Sequence, residues 1–179
     1  VLIDCGFSMK ETNQRLEEFG LEASQLSALL ITHEHDDHLK GAGALARKYK
    51  LPVYSTHGTK FTNRMGKLPD WRPINPERIF AVKDLEIKPV TVPHDAREPV
   101  QFVVSNGARR LGVLTDLGSL TPHVLKQFSR LDALVLEANH CPEKLANGSY
   151  PPKLKQRIPG RPGQLSNQQA ASFFQVDFD

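Results

Sequence analysis

The feature that most constrains this chain is a group of ligand-type residues placed directly after a short apolar run. Residues 28–31, Ala-Leu-Leu-Ile, have the length and composition of a buried strand, and they lead straight into residues 32–38, Thr-His-Glu-His-Asp-Asp-His. Three histidines and Asp37 therefore stand close together where a strand ends and the backbone turns. A solvated histidine-rich turn is the simpler alternative, but random composition rarely places this pattern after such a run. We predict a metal site at this strand end.

The cluster has donors for two metal ions. Where the chain turns, His33 and His35 can approach one ion from the same side, while Asp37 and His38 can face a second. Neutral imidazole and carboxylate suit Zn²⁺ and also Mn²⁺ or Fe²⁺, so these residue types do not identify the metal. Two neighbouring ions can share a hydroxide and lower its pKa enough to make a nucleophile near neutral pH. The residues therefore favour a hydrolase with two divalent ions, zinc or manganese.

Strands and helices alternate along the rest of the chain. Apolar or alternating runs predict strands at 1–3, 52–54, 85–92, 100–104, 110–114 and 134–136, with a hairpin through a tight turn at Asn106–Gly107. Helical spacing and capping patterns predict helices at 10–19, 39–50, 121–128 and 166–174, and a loop or irregular helix at 59–76. This order predicts a mixed α/β (α+β) fold with layered sheets. The 179 residues are enough for a single domain and few for two.

Several motifs together resemble one known family. The pattern His33-x-His35-x-Asp37–His38 is similar to the signature of the metallo-β-lactamase superfamily. Four further segments add to the resemblance: 2–6, 92–96, 114–118 and 136–140. The combination looks like the YycJ/WalJ (VicX) group, which is related to PhnP and to the ribonuclease Z and J enzymes, and it covers nearly the whole chain. The resemblance implies an αββα sandwich, a metallo-hydrolase of phosphodiesterase or nuclease type, and DNA exonuclease activity.

The resemblance also implies which residues hold the ions. His94 matches the second metal motif and would complete the first site with His33 and His35. Asp116 matches the third motif and would bridge both ions. Taken alone, His94 is equally well a plain loop histidine, and Asp116 a simple helix cap. By the resemblance, Asp37, His94 and Asp116 are the catalytic ligands.

Other polar residues also follow strands that the sequence predicts. Asp4 stands where the superfamily often has a carboxylate that supports the ligand loop, and we interpret it as a supporting group and not as a ligand. Glu137, Asn139 and His140 follow the strand at 134–136. They either cap the strand end, or hold a ligand histidine or contact substrate, and both alternatives stay open.

The chain departs from the group's pattern at several positions. In the segment 163–166, Gln164 stands where the group usually carries a histidine that lies near the substrate phosphate. Gln164 can donate a hydrogen bond but cannot transfer a proton in the physiological range. Cys141 replaces an acidic residue, and we assign it no role. The group also has a strand before the equivalent of Val1 and a late histidine ligand of the second ion, so we expect a fragment truncated at both ends.

Net charge is +3 with an isoelectric point near 8.9, which permits a nucleic-acid partner without requiring one. A basic cluster lies among proline and glycine residues: Lys153, Lys155, Arg157 and Arg161. Solvated surface residues are the simpler interpretation. The alternative is a loop free to contact a phosphate backbone, and we list these four residues as candidate nucleic-acid contacts.

Three functions fit the sequence: a phosphodiesterase or nuclease whose substrate is nucleic acid, with DNA as the family's expectation; a small-molecule hydrolase on the same fold; and a catalytically impaired metal-binding fragment. No run approaches the roughly 18 apolar residues that a membrane span requires. Two widely separated cysteines, Cys5 and Cys141, favour a reducing compartment. We expect a cytoplasmic protein without membrane attachment, and the oligomeric state stays open.

Overall fold

Apolar side chains form two separate buried clusters, one in each of two units into which the chain divides. The computed structural model describes residues 1–175. Unit 1 comprises Val1–Asp84 and Ala96–Val100, and unit 2 comprises Leu85–Asp95 and the residues from Gln101 onward. Within the described part of the chain, no helix is long and apolar enough to cross a membrane.

Unit 1 begins with short strands and helices that follow one another closely. Its strands are β1 (Leu2–Ile3), β2 (Leu29–Leu30), β3 (Pro52–Ser55), β4 (Asp70–Pro73) and β5 (Phe80–Val82). Its helices are α1 (Met9–Glu18), α2 (Asp36–Leu39), α3 (Ala42–Tyr49) and α4 (His57–Phe61), with a 3₁₀ turn at Ala23–Gln25. Helix α1 begins at Ser8, whose side chain accepts a hydrogen bond from the Glu11 N–H.

The first four strands form a parallel sheet in chain order, and this order positions the ligand cluster. Leu29 pairs with Leu2 on one side and with Val53 on the other, and Val53 pairs with Trp71. Residues 28–31 are completely buried, as expected for an inner strand of a parallel sheet. Because all four strands run the same way, the residues that follow them meet at one edge. His33 and its neighbours lie at that edge.

Gly6 lets the segment after β1 closely approach residues 32–39, which we call the ligand loop. The Cys5 N–H donates to the His38 carbonyl, and a Cβ at Gly6 would lie 1.7 Å from the Asp37 carbonyl oxygen. Any side chain at position 6 would therefore push the ligand loop away. The continuous helix predicted at 39–50 is wrong in its first residues. Helix α2 ends at Leu39, and the Gly41 N–H donates to the Cys5 carbonyl before α3 begins.

Unit 2 contains the strands β6 (Leu85–Thr91), β7 (Val100–Ser105, from Gln101 on), β8 (Arg110–Leu114) and β9 (Ala133–Leu136) in that spatial order. Its helices are α5 (Pro122–Gln127), α6 (Pro142–Asn147), α7 (Pro152–Arg157) and α8 (Asn167–Phe173). Strands β7 and β8 are antiparallel, and β8 and β9 are parallel. The apolar cluster of this unit includes Leu114, Phe128 and Phe173. The capping box expected at Ser166 is confirmed, with Gln169 as its partner.

Two further predictions differ from the structure. The hairpin of β7 and β8 is confirmed, but its loop spans 106–109 instead of a tight turn. The Asn106 side chain accepts from the N–H groups of Ala108 and Arg109, which stabilises the longer loop. The loop or irregular helix predicted at 59–76 is wrong for its last part. Residues 70–73 form β4, because their backbone pairs with β3 despite weak strand propensity.

Candidate metal centre

The ligand loop of unit 1 follows β2 without a break. The Ile31 N–H still donates to the Tyr54 carbonyl of β3, and the next residues then leave the sheet. The Thr32 carbonyl accepts from the Val100 N–H, so the start of the loop is fixed on a second side. Helix α2 (Asp36–Leu39), which carries Asp37 and His38, forms the last part of the loop. Because both ends belong to regular structure, the loop has a defined backbone before any ion binds.

His33 and His35 place two ring nitrogens next to each other. His33 Nε2 lies 2.9 Å from His35 Nδ1, and their ring planes are nearly perpendicular. His33 is almost completely buried, whereas His35 is partly exposed. At this separation one nitrogen must carry a proton towards the other, or a cation must take the place of that proton. Neutral imidazole nitrogens that converge in this way suit a divalent ion.

His38 and Asp37 form the second part of the cluster. His38 Nε2 lies 3.5 Å from Asp37 Oδ2, and the His38 ring centroid is 4.2 Å from that of His33. The side chain of Asp37 is 82% exposed, so its carboxylate projects from the loop. This donor set of imidazole nitrogen and carboxylate oxygen also fits a divalent cation. Unit 1 thus brings together the three histidines and the aspartate that the sequence singled out.

Asp4 connects this cluster to β1. Its Oδ2 lies 2.8 Å from His38 Nδ1 and accepts from the Thr32 hydroxyl, and its Oδ1 accepts from the Thr32 N–H. Burial raises the pKa of the Asp4 carboxyl, while the interactions with His38 and Thr32 oppose the rise. By accepting from Nδ1, Asp4 leaves Nε2 of His38 with its lone pair available. Asp4 therefore lies where the sequence predicts a supporting carboxylate, and that role stays a prediction.

Three residues hold the ligand loop although the sequence assigns no role to them: Thr32, Glu34 and Arg64. The Thr32 hydroxyl lies 2.9 Å from His33 Nδ1 and orients that ring. Glu34 is buried, and its Oε1 accepts from the Arg97 N–H. Arg64 donates to the Glu34 carbonyl and to the Asp36 carboxylate. The hydroxyl between a strand and the first histidine was a usable signal for Thr32. The Arg97 partner of Glu34 is 63 positions away in sequence, and the partners of Arg64 are at least 28 positions away. No local pattern reveals such contacts.

In unit 2, His94 follows β6. Its side chain is completely buried, Nδ1 lies 3.1 Å from the Gly163 carbonyl oxygen, and Nε2 lies 3.5 Å from Asp95 Oδ1. A carbonyl next to Nδ1 favours the tautomer in which Nδ1 carries the proton and Nε2 has the lone pair. His94 therefore has the second interaction that ligand histidines usually have.

Asp116 follows β8 and lies close in the fold to the His94 loop. The Gly118 N–H donates to the Pro93 carbonyl, which connects the two loops directly. Gln164 Nε2 donates to Asp116 Oδ1 at 2.7 Å. A Cβ at Gly118 would lie 2.2 Å from the Arg161 carbonyl oxygen, so only glycine lets segment 161–164 come this close. Gln164 thus contacts Asp116 directly, in the place where the sequence leads one to expect a histidine.

Glu137, Asn139 and His140 have different surroundings. Glu137 Oε2 accepts from the Leu117 N–H, which is a structural contact with the loop that carries Asp116. Asn139 is exposed, and its backbone N–H donates to the Leu165 carbonyl. The backbone of His140 forms an isolated β-bridge with Ser166, and burial lowers the pKa of the His140 imidazole. Among the described residues, neither Nδ1 of His140 nor Oε1 of Gln164 has a hydrogen-bond partner, although both atoms are buried. The role of these residues stays a prediction.

The basic cluster at 153–161 is not a free loop, and that expectation is wrong for its first three members. Lys153, Lys155 and Arg157 lie on α7, because Pro152 at the first turn starts a helix. Arg157 binds the Asp95 carboxylate with two nitrogens, and Lys155 donates to the Ala146 carbonyl. These two side chains therefore already have structural partners. Lys153 and Arg161 are exposed.

The chain is similar to proteins of known family. Residues 1–176 match the model of the beta-lactamase superfamily domain. The exodeoxyribonuclease YycJ of Bacillus anthracis is 37% identical over 177 residues, which are 96% of this chain and 66% of that protein. The exodeoxyribonuclease WalJ of Streptococcus pneumoniae is 34% identical with the same coverage. This chain thus spans slightly less than two thirds of the length of these relatives.

Solved structures give the same fold. The short form of human tRNase Z superimposes with a TM-score of 0.69 at 19% identity, over 97% of this chain and 76% of that one. At this identity the likeness shows the fold alone. The metallo-β-lactamase fold predicted from the sequence is confirmed, and so is the resemblance to the YycJ/WalJ group.

Proposed function

This chain belongs to the beta-lactamase superfamily, and we propose that it is a metal-dependent phosphodiesterase that hydrolyses nucleic acid, most specifically DNA. The observation that supports this most is the ligand loop of unit 1, where His33, His35, Asp37 and His38 crowd together and Asp4 supports the cluster. Two relatives with exodeoxyribonuclease names favour DNA as substrate. We also propose that residues 1–179 form a single metallo-β-lactamase-like domain.

We propose two divalent ions, zinc or manganese, with the ligands His33, His35, Asp37, His38, His94 and Asp116. The order of the motifs along the chain and their places after strands support the assignment, as in the family resemblance. When bound, such ions lower the pKa of a shared water and polarise a phosphoryl oxygen.

The chain's own side chains set the protonation states that this chemistry needs. The Asp4 carboxylate takes a hydrogen bond from Nδ1–H of His38, and the Gly163 carbonyl takes one from Nδ1–H of His94. In the neutral imidazole, each contact favours the tautomer in which Nδ1 carries the proton and Nε2 has the lone pair. The Gln164 amide donates to Asp116 and fixes the direction of that carboxylate. Gln164 cannot protonate a leaving oxygen, so water is the proposed proton donor to the leaving group.

A second candidate is a metal-binding protein without turnover, and Gln164 is the observation that favours it. A small-molecule hydrolase on the same fold is a third alternative, which the family membership also permits.

Both cysteines are free thiols, in agreement with the proposed cytoplasmic location.

A nuclease assay with metal removal tests the proposal. The substrates are single-stranded DNA, duplex DNA and RNA of one sequence, labelled at either end so that the polarity of cleavage is visible. We expect hydrolysis of DNA that stops after chelation with EDTA and returns when Mn²⁺ or Zn²⁺ is added, because the ions supply the nucleophile.

The matched control is His123→Ala, an exposed histidine on α5, which we expect to retain full activity. Activity that survives EDTA would refute the metal-dependent mechanism. Metal binding without cleavage of any nucleic acid would favour the second candidate. Cleavage of a chromogenic lactam or a small cyclic phosphodiester alone would favour the third.

A further inference from the structure

Segment 57–67 of unit 1 carries an exposed aromatic surface beside the ligand loop. Three side chains form what we call the ring patch: His57, Phe61 and Trp71. The His57 ring lies 5.2 Å from Trp71, edge to face, and 6.5 Å from Phe61. Phe61 is 76% exposed, although it is the last residue of helix α4. An aromatic side chain in such a position presents one full face to solvent.

The ring patch has a fixed base. The Trp71 indole N–H donates to the hydroxyl of Ser55, which is completely buried. Helix α4 begins at Thr56, whose hydroxyl accepts from the Thr59 N–H and donates to the Glu98 carbonyl. The Gly58 N–H donates to the Glu98 carboxylate. Because the helix is tied at its start, Phe61 is held outward by ordered backbone.

The ring patch lies at the same sheet edge as the ligand loop. His57 follows β3 as His33 follows β2, and these strands are parallel neighbours with Leu30 paired to Tyr54. Three residues beyond α4, Arg64 donates to the Glu34 carbonyl and to the Asp36 carboxylate of the ligand loop. The segment that carries Phe61 therefore contacts the loop that carries His33 and His35.

The charge of this segment suits a polyanion. Residues 57–67 include Lys60, Arg64 and Lys67 and no acidic residue, and the Lys60 ammonium donates to the Gly66 carbonyl. Two acidic side chains contact this segment: Asp36 pairs with Arg64, and Glu98 accepts from the Gly58 N–H. A basic surface with an exposed aromatic ring is the arrangement that binds single-stranded nucleic acid, since phosphates contact the cations while a base stacks on the ring.

We propose that the ring patch binds one base of a single nucleic-acid strand, with Phe61 as the stacking surface and the exposed Lys67 beside an adjacent phosphate. This deepens the proposed function, because it gives the substrate a position next to the ligand loop. An apolar protein partner is the alternative occupant, and it would not require the cations.

Equilibrium binding without turnover tests the proposal. A fluorescein-labelled single-stranded oligonucleotide is titrated in EDTA against wild type, Phe61→Ala, Phe61→Tyr and the control Phe19→Ala. Phe19 is a matched control because it is 80% exposed in the same unit, at the end of α1. Loss of one stacked base is expected to raise Kd about tenfold for Phe61→Ala, and Phe61→Tyr is expected to bind as wild type does.

Two further probes separate stacking from general attraction. An oligonucleotide with an abasic site at each position in turn should bind wild type about tenfold more weakly at one position, and that position should have no effect in Phe61→Ala. 2-Aminopurine at that position should be quenched by wild type and not by Phe61→Ala. Circular dichroism confirms that each variant is folded.

Equal Kd values for wild type and Phe61→Ala would overturn the proposal, as would an equal loss in Phe19→Ala or no binding by wild type. Failure of the proposed function looks different, since the chain would then bind the oligonucleotide as described but cleave nothing after metal is added. If the chain cleaves DNA and Phe61→Ala changes neither Kd nor quenching, the proposed function stands and the ring patch is not a base site.

Discussion

Replacing His33 with alanine is expected to reduce metal-dependent phosphodiester hydrolysis by at least about a thousandfold. His33 is almost completely buried, and its Nε2 lies 2.9 Å from His35 Nδ1. Without this imidazole, His35 loses the neighbour with which it would share an ion. Michaelis–Menten measurements on a small chromogenic phosphodiester at saturating Mn²⁺ give the size of the loss.

His33 is buried, so its removal also leaves a cavity and takes one of its two partners from the Thr32 hydroxyl, which still donates to Asp4. His33→Gln keeps much of the volume and a polar atom, and it is expected to unfold at a temperature closer to that of wild type while losing the same activity. The exposed His123→Ala is the control for a lost imidazole outside the site. A folded His33→Gln variant with wild-type turnover would contradict the assignment.

Replacing Asp4 with asparagine is expected to weaken metal binding about 10- to 100-fold, even though Asp4 is not itself a proposed ligand. The carboxylate accepts from Thr32 and lies 2.8 Å from His38 Nδ1. Asparagine keeps the shape but loses the charge, so it holds the ring of His38 less firmly and makes Nε2 a poorer donor. Titration with Zn²⁺ in the presence of a competing chelator measures the change.

The backbone at Asp4 explains why asparagine is the better probe. Asp4 has a φ of +59°, a region that asparagine tolerates and alanine does not. Asp4→Ala would add strain of about 1 kcal/mol to the loss of the hydrogen bonds, so a drop in stability would obscure the effect on the ion. Asp70→Asn removes an exposed carboxylate paired with Arg72 in the same unit, and it should leave metal affinity unchanged. Unaltered affinity in Asp4→Asn would contradict the supporting role.

Local patterns were sufficient where the determinants are local. The apolar run 28–31 and the histidines after it predict both a buried strand and the cluster, because strand and ligands are consecutive in sequence. Ser166 and Gln169 likewise form the predicted capping box three residues apart. In these cases, the residues that matter are close enough for spacing alone to place them together.

Distant contacts were beyond the sequence. Strand β4 forms because residues 70–73 pair with β3, and nothing in Asp-Trp-Arg-Pro indicates that partner. The alternative of a free loop at 153–161 was wrong for α7, because proline and glycine residues surround this helix and its contact with Asp95 spans 62 positions. Arg157, which the sequence offered as a candidate phosphate contact, therefore has a structural partner in Asp95. The hydrogen bond from Gln164 to Asp116, 48 positions apart, was equally unpredictable from spacing.

The metal content of the purified chain tests the central claim most directly. Elemental analysis after loading with Zn²⁺ or Mn²⁺ and exhaustive dialysis is compared with His33→Gln treated in the same way. We predict two divalent ions per folded wild-type chain and fewer in the variant, because the proposed set of six ligands is sufficient for a pair of ions. A folded wild-type chain that retains one ion would contradict the dinuclear assignment, and one that retains none would contradict the metal centre itself.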